Sequence, residues 1–544
     1  MRILFGKLRA MGYIQFSCGA CQAGLVEALV SNIAFQYKSA TQEEFHSSKT
    51  AWLNIEIIII KTQTSLKRIL LIGFLLASLS CEATAQDEVL NIYIDSIVAD
   101  VSRHPVGINL DYFMDGNRFP HPQRSVADAL KAMGVKYLRY PGGDKSDLNL
   151  FSVPPYNKSQ PTLARTGKGA VDDYVEILQD YKAFKYDVLD FDEYMTLCRQ
   201  LNAEPVVVVP ADSYLKKYPP GCTWTSREDL IKNAVEWVRY SNIKKKYRVK
   251  YWMIGNECWH ENNKNSTAEI YAHDVLDFAK AMKAVDPSIA IIPNGNAVDY
   301  FGTVIKTAGD YIDYLCLSNY PVFNYYGGYK TYKDTLQNLT EPVDRAVAAL
   351  EKYATREQKK KIKLIVAEYG PFDWGNKWPH INDMGHTLAN FEMTGDQLLR
   401  PEIEFSCFWN TRWIDNDSIP NQVWDAIDKN CNYNAIGYSL MIWGNYLGDK
   451  MIKTTSSIHM RSFASLKSSE KKLFVYLLNK DEKSRNVQLN IQNKKIRSVV
   501  QAWELVGKNS DDLHPVWEKF TVGNETNQVQ LKGISITVIE YQLE

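Results

Sequence analysis

Tyr251-Trp252-Met253-Ile254-Gly255-Asn256-Glu257 is an apolar, aromatic-rich run that ends abruptly in Gly-Asn-Glu. Leu364-Ile365-Val366-Ala367-Glu368-Tyr369-Gly370 repeats the pattern. Short continuous apolar runs of this kind read as strands buried on both faces, as in parallel sheets. Each run carries one carboxylate at its C-terminal end. In a barrel of parallel strands, that end is where functional groups collect.

Working outward, short apolar runs alternate with longer amphipathic ones from about residue 96. Candidate strands are Pro105–Leu110, Val135–Tyr140, Glu204–Val209, Tyr251–Gly255, Ile289–Pro293, Tyr314–Ser318, Leu364–Ala367 and Glu404–Trp409. Helical patterns between them include Ser125–Met133, Asp190–Leu201, Ser226–Tyr240, Ala268–Val285, Val343–Tyr353 and Met384–Leu399. Eight strand–helix alternations favour a closed (β/α)8 TIM barrel over an open doubly wound sheet. After Asp449 the texture changes to runs such as Leu473–Leu478, Val487–Ile491, Val529–Leu531 and Ser535–Tyr541, separated by polar turns. These read as a C-terminal all-β sandwich, which Val89–Val98 could join from the other end of the chain. The fold class is therefore α/β. The expected domains are a leader over 1–65, a signal peptide over 66–85, a catalytic barrel over 86–449 and a β-sandwich over 450–544.

The bulk composition excludes several classes. Lys+Arg and Asp+Glu both number 63 in 544 residues, so no basic field points to nucleic acid. No Gly-x-Gly-x-x-Gly follows an early strand, which argues against a dinucleotide cofactor. The nine His are scattered without a His-Glu-x-x-His, so no metal is expected, and Asp144 and Asp147 read as a solvated loop rather than a cation site. The cysteines are too widely spaced for a small disulfide framework, and those in apolar runs read as buried thiols.

Lys67-Arg68 precedes the apolar run Ile69–Ala77, and Ala83-Thr84-Ala85 follows as a cleavage-site pattern. This layout predicts export, to a secreted or periplasmic location, with a lipid anchor at Cys81 as the alternative. The run is too short for a stable membrane span. A signal at this position predicts a translation start near Leu66, the upstream segment being a gene-start error or a leader.

The paired carboxylates define the expected chemistry. A retaining glycosidase needs one carboxylic acid to protonate the leaving oxygen and one carboxylate to attack the anomeric carbon, about 5–5.5 Å apart. Glu257 ends the fourth candidate strand and Glu368 the seventh, which makes them the candidate pair. Asn256 is of the right type to hydrogen-bond a sugar hydroxyl. Trp409 and Trp413 could floor a sugar subsite or pack in the core. Cys258 and His260 follow the acid closely and read as structural.

The chain resembles the large (β/α)8 glycoside hydrolase clan that places these two groups on strands four and seven. Within it the likeness is to the family 51 α-L-arabinofuranosidases. It is carried by Leu138-Arg139-Tyr140-Pro141-Gly142-Gly143, Phe191–Tyr194, Ala203–Pro205, Glu236–Asn242, Trp252–Glu257 and Leu473–Lys480. The resemblance implies Glu257 as acid/base, Glu368 as nucleophile, Asn256 as a 2-hydroxyl contact, Tyr320 as the tyrosine bonding the nucleophile, and Arg139 as the arginine beside it. Four positions depart from the family pattern. Asp111 stands for an early Glu, Asp144 for an Asn, Ser318 for a strand-six His, and Tyr369 for a Trp. Asp111, Asp144 and Trp409 complete the expected substrate contacts.

The expected function is a retaining hydrolase of plant or algal polysaccharide or oligosaccharide, α-L-arabinofuranosidase-like, without cofactor. An endo-acting galactanase or agarase type is the alternative within the clan, and a non-catalytic carbohydrate-binding protein the alternative outside it. A homo-oligomer is possible on the resemblance alone.

Overall fold

The computed structural model describes residues 88–112, 115–116, 124–148, 150–154, 178–179, 183–184, 189–215, 226–260, 265–322, 325–412, 421–522 and 527–544. The leader, the signal-like segment, Cys81, Cys222 and Trp413 lie outside them.

All eight predicted barrel strands are present. They are Val106–Asn109, Tyr137–Tyr140, Glu204–Val209, Tyr251–Ile254, Ala290–Pro293, Tyr314–Asn319, Lys363–Tyr369 and Ile403–Phe408. They form one parallel sheet in the spatial order five, four, three, two, one, eight, seven, six. A parallel bridge between Asn294 and Cys316 closes the ring between strands five and six. Tyr137, Val206, Val208, Tyr251, Met253, Ile292, Ile365 and Phe405 form one buried cluster. Their strand neighbours Leu138, Val207, Trp252, Ile254, Leu364 and Val366 belong to the larger core that includes the helices. This two-residue alternation is the inside/outside pleat of a barrel, and with both faces covered it erases the polar positions expected of a half-buried strand.

The helices begin where side chains can satisfy their first backbone N–H groups. Asp190 and Glu193 form a capping box on Phe191–Leu201, and Thr267 caps Ala268–Val285. One expectation changes: Ser226–Tyr240 is not a single α-helix. The α-helix is Arg227–Val238, and Arg239–Lys244 continues it as a π-helical turn. Asn242, within that turn, exchanges two hydrogen bonds of 2.9 Å with the backbone of Val249, just ahead of strand four.

Among the described residues four helices went unrecognised: Val298–Ala308, Tyr329–Asp334, Arg356–Lys361 and Ala435–Asn445. Ala435–Asn445 is apolar on nearly every side and almost wholly buried, so it has no amphipathic period to read.

The second unit of structure is a nine-stranded, mostly antiparallel sheet of the sandwich type. The N-terminal strand Glu88–Asp100 lies within it, antiparallel to Lys450–Thr454 and parallel to Arg485–Gln492. Along Lys472–Asn479, Leu473, Val475 and Leu477 enter a core belonging to this sheet alone. Phe474, Tyr476 and Leu478 join the barrel core instead. Both faces are therefore buried, one against the barrel. The junction also holds a charged cluster, in which Arg461 pairs with Glu392 and Asp396 at 2.7 Å and Lys480 reaches Glu392 at 3.2 Å. Among the described residues no helix is long and apolar enough to cross a membrane.

Candidate active site

Strand four ends in a tight turn that aims Glu257. Gly255 has φ +70° and Glu257 itself φ +42°, so two residues of the turn are left-handed. A Cβ at Gly255 would fall 2.3 Å from the Cys258 sulfur, so glycine meets both the conformation and the close approach. Asn294, after strand five, clamps the turn. Its Oδ1 accepts from the Cys258 N–H at 2.9 Å, and its Nδ2 donates to the carbonyls of Ile254 and Gly255 at 3.0 and 3.2 Å. The Tyr271 hydroxyl donates to the Ile254 carbonyl at 2.6 Å and accepts from the Asn294 N–H at 2.8 Å.

Arg139, at the end of strand two, connects the barrel top. Its Nη1 donates to Asn109 Oδ1 at 2.7 Å and to Glu368 Oε1 at 2.9 Å, and its Nη2 donates to Asn256 Oδ1 at 2.6 Å. Strands one, two, four and seven thus meet at one guanidinium that is almost fully buried. Asn109 carries the link to strands seven and eight through its Nδ2, which donates to the carbonyls of Ala367 and Phe408. Tyr320 donates to Glu368 Oε2 at 2.9 Å, Asn256 Nδ2 donates to Asp144 Oδ1 at 3.0 Å, and Ser318 donates to Glu257 Oε1 at 2.5 Å.

The two carboxylates have unequal surroundings. Burial raises Glu257 most, and the charges of Glu368 and Asp144 raise it further, to about 8; the Ser318 hydroxyl and Arg139 oppose this. Burial also raises Glu368, but Arg139 and the Tyr320 hydroxyl pull it back toward the ionised form. A shared proton therefore resides on Glu257, because Glu368 has the ion-pair partner. The phenol of Tyr320 is pushed far up by burial and then by Glu368, which keeps it a donor.

Five sequence-predicted residues (Glu368, Asn256, Arg139, Tyr320 and Asp144) are joined by this hydrogen-bond network, and Glu257 is bonded by Ser318, which lies in register with Glu368 on strand six. Trp409 comes in through Gly143. A Cβ on Gly143 would lie 2.5 Å from the Trp409 ring and 3.0 Å from Glu368 Oε1, so the indole sits beside the carboxylate and only glycine leaves room. Asp111 is fully buried one step away, and its N–H donates to Asp115, which pairs with Arg412 at 3.1 Å. Tyr369 turns aside, its hydroxyl meeting Thr394 at 3.0 Å. Cys198, Cys258, Cys316, Cys407 and Cys431 are buried thiols outside any disulfide. No cluster of three or more His, Cys, Asp or Glu among the described residues could hold a metal ion.

Sequence reasoning missed Asn109, Asn294 and Tyr271. Each is a polar residue in or beside an apolar run, and a buried polar group requires a partner. That was the available signal for their roles.

The fold is a (β/α)8 barrel with one carboxylate at the end of strand four and one at the end of strand seven, an arrangement similar to that of glycoside hydrolases. The "Alpha-L-arabinofuranosidase 1 domain" model matches residues 129–338, and the chain is close to the family 51 enzymes. It is 26% identical over 287 residues to an intracellular exo-α-(1→5)-L-arabinofuranosidase of Acetivibrio thermocellus, covering 48% of this chain and 50% of that enzyme. An enzyme of the same name from Halalkalibacterium halodurans is 26% identical over 296 residues, covering 49% and 51%. The chain thus spans about half the length of the curated relatives it matches. The α-L-arabinofuranosidase of Thermotoga maritima, in its arabinose complex, superposes with a TM-score of 0.63 at 18% identity, covering 83% of this chain and 99% of that one. At that identity the likeness is one of fold.

The two curated relatives are named intracellular, which overturns the expected secreted or periplasmic location and the anchored alternative at Cys81. The signal behind that expectation was a short apolar run preceded by Lys67-Arg68 and followed by Ala83-Thr84-Ala85. Such a pattern is compositional and also occurs in segments that are never exported.

Proposed function

We propose that this chain is a retaining O-glycoside hydrolase of the α-L-arabinofuranosidase kind, acting on polysaccharide or oligosaccharide by double displacement. The observation that carries the reading is the asymmetry of the two strand-end carboxylates. Glu368 is ion-paired to Arg139, whereas burial and the nearby charges of Glu368 and Asp144 raise Glu257 to about 8 and so favour its protonated form.

Glu368 attacks the anomeric carbon while Glu257 gives its proton to the departing oxygen. The resulting glycosyl ester on Glu368 is then cleaved by water, whose proton returns to Glu257. Tyr320 and Arg139 stabilise the Glu368 carboxylate when it departs. Asn256, with its carbonyl fixed by Arg139, presents its amide beside the reacting sugar.

The test is product analysis on arabinan, arabinoxylan, xylan, galactan and agar-type polysaccharide, with Glu368→Ala as the control. Arabinose as sole product, absent with Glu368→Ala, supports the reading. Ser318 and Asp144 touch the reacting network and depart from the family pattern, which favours one second reading, an endo-acting hydrolase of the same clan. Oligosaccharides released from galactan or agar would support that instead. No product, with glycan binding retained, would leave a binding protein.

A further inference from the structure

The end of the barrel opposite Glu257 and Glu368 is basic. Residues just ahead of a barrel strand lie at this lower mouth, and the sequence puts lysines there. Lys250 precedes strand four, and Lys359-Lys360-Lys361-Ile362-Lys363 runs into strand seven. The lower face of such a barrel ordinarily serves stability. Here it holds an open cleft of about 420 Å³.

Five cations line the cleft: Arg103, Lys250, Lys283, Lys361 and Lys363. Two carboxylates, Asp313 and Glu404, stand among them, and each is already shared. Asp313 pairs with Lys283 at 2.8 Å and Lys361 at 3.2 Å, and accepts the Ile291 N–H at 3.0 Å. The buried Glu404 pairs with Arg103 at 2.6 Å and Lys363 at 3.2 Å. Lys250 is exposed and has no carboxylate partner among the described residues. Its ammonium lies 4.7 Å from the centre of the Tyr251 ring and donates to the Tyr251 and Tyr314 hydroxyls at 3.3 and 3.4 Å. The lining thus carries three positive charges in excess, although the formal net charge of the whole chain is zero.

An aromatic floor concentrates that excess. Tyr137, Tyr251, Tyr314 and Phe405 pack together across the mouth, with Tyr137 stacked on Phe405 at 4.2 Å and 12°. Burial pushes the Tyr314 phenol up to about 12, so it stays a neutral hydroxyl. Like charges over a floor of low dielectric focus their field into the opening, and an anion placed there relieves their mutual repulsion.

We propose that this cleft binds a compact polyanion, a ligand with about three negative charges on phosphate or carboxylate groups. Size decides between a small ligand and a polymer, since about 420 Å³ is the volume of a small-molecule site and not of an extended groove. The cleft shares no residue with the Glu257 and Glu368 network, so its occupation does not depend on the glycoside hydrolase reading.

The experiment titrates the full chain by calorimetry, in low-salt buffer without phosphate, with tripolyphosphate, citrate, pyrophosphate and phosphate. Saturable binding is expected, tightest for tripolyphosphate or citrate and about tenfold or more weaker for phosphate. Tripolyphosphate ahead of citrate assigns the site to phosphate groups, and the reverse order to carboxylates. Lys250→Ala and Lys363→Ala should each weaken the tightest anion about tenfold, and Lys508→Ala, at an exposed lysine of the sandwich, by less than about twofold. Thermal unfolding checks that each variant is folded. The bound anion should also raise the unfolding temperature of the unaltered chain more than that of Lys250→Ala. No saturable binding, or an equal loss with Lys508→Ala, would overturn the site. An oligogalacturonate binding more tightly than every small anion would overturn it too, because the surface would then serve a polymer.

Discussion

Arg139 donates to Glu368 at 2.9 Å from a side chain that is 1% exposed, and the same nitrogen donates to Asn109 at 2.7 Å. The Glu368 carboxylate is thus fixed by a cation that is itself fixed from strand one. A buried charge without partners is costly, and here each arm of the guanidinium finds one. The Nε also lies 3.2 Å from the Met253 sulfur. The barrel top is held by a polar network that the site shares, so catalytic geometry and local stability depend on the same bonds.

Replacing Arg139 should therefore act on both. Arg139→Met leaves Glu368 buried without a cation, and breaking such a pair costs about 3–5 kcal/mol. Arg139→Lys keeps the charge but cannot supply the planar fork that reaches Asn109, Glu368 and Asn256 together. The lysine variant should remain better folded in urea than the methionine variant, yet lose about 10²-fold or more in kcat/KM. A lysine variant with near-normal turnover would remove the geometric role of the guanidinium.

The raised pKa of Glu257 predicts how the protein responds to pH. Its folded value, about 8, lies above the ordinary glutamate value of 4.5, so the folded state binds more protons in between. The stabilising contribution is full below about 4.5 and is lost as pH rises through about 8. Activity on substrates with poor leaving groups should fall over the same alkaline range, because the acid loses its proton. For a 2,4-dinitrophenyl glycoside, whose leaving group needs no proton, Glu257→Ala should leave kcat/KM flat across that alkaline range. A limb that persists in this variant belongs to another group.

Ser318 tunes the same residue. Its hydroxyl donates to Glu257 Oε1 at 2.5 Å, a bond that favours the ionised form and lowers the pKa. Ser318→Ala should move the alkaline limb of kcat/KM to higher pH, since hydrogen bonds to charged groups contribute about 1.5–3 kcal/mol. The shift, read from complete pH–rate profiles, distinguishes tuning from loss of shape. A lower rate at every pH with an unmoved limb would make Ser318 merely structural.

The strand-end carboxylates were legible because barrel strands announce themselves. Runs such as Val206–Val209 and Leu364–Ala367 are apolar throughout, and the residues at their C-terminal ends must lie at the barrel mouth. The network behind the carboxylates was less legible. Asn109 and Asn294 reveal their roles only through partners 258 and 36 residues away in sequence. Helix Ala435–Asn445 was hidden because it is buried on nearly every side.

Asn294 offers the sharpest test of how the acid is aimed. It touches neither the nucleophile network nor, through any of its hydrogen bonds, the Glu257 carboxylate, yet three of those bonds hold the Ile254–Cys258 turn. Asn294→Ala would leave the Cys258 N–H and two carbonyls without that partner, at a cost of about 1–3 kcal/mol for each group left unsatisfied. Because Glu257 occupies a left-handed conformation, a loosened turn should let it relax and carry its carboxyl away from the leaving oxygen. The loss should therefore grow as the leaving group becomes poorer. A 2,4-dinitrophenyl glycoside should be cleaved nearly as well as by the unaltered chain, and an unactivated disaccharide far more slowly. A uniform loss across the leaving-group series would mean that the turn supports the barrel mouth as a whole and not the acid in particular.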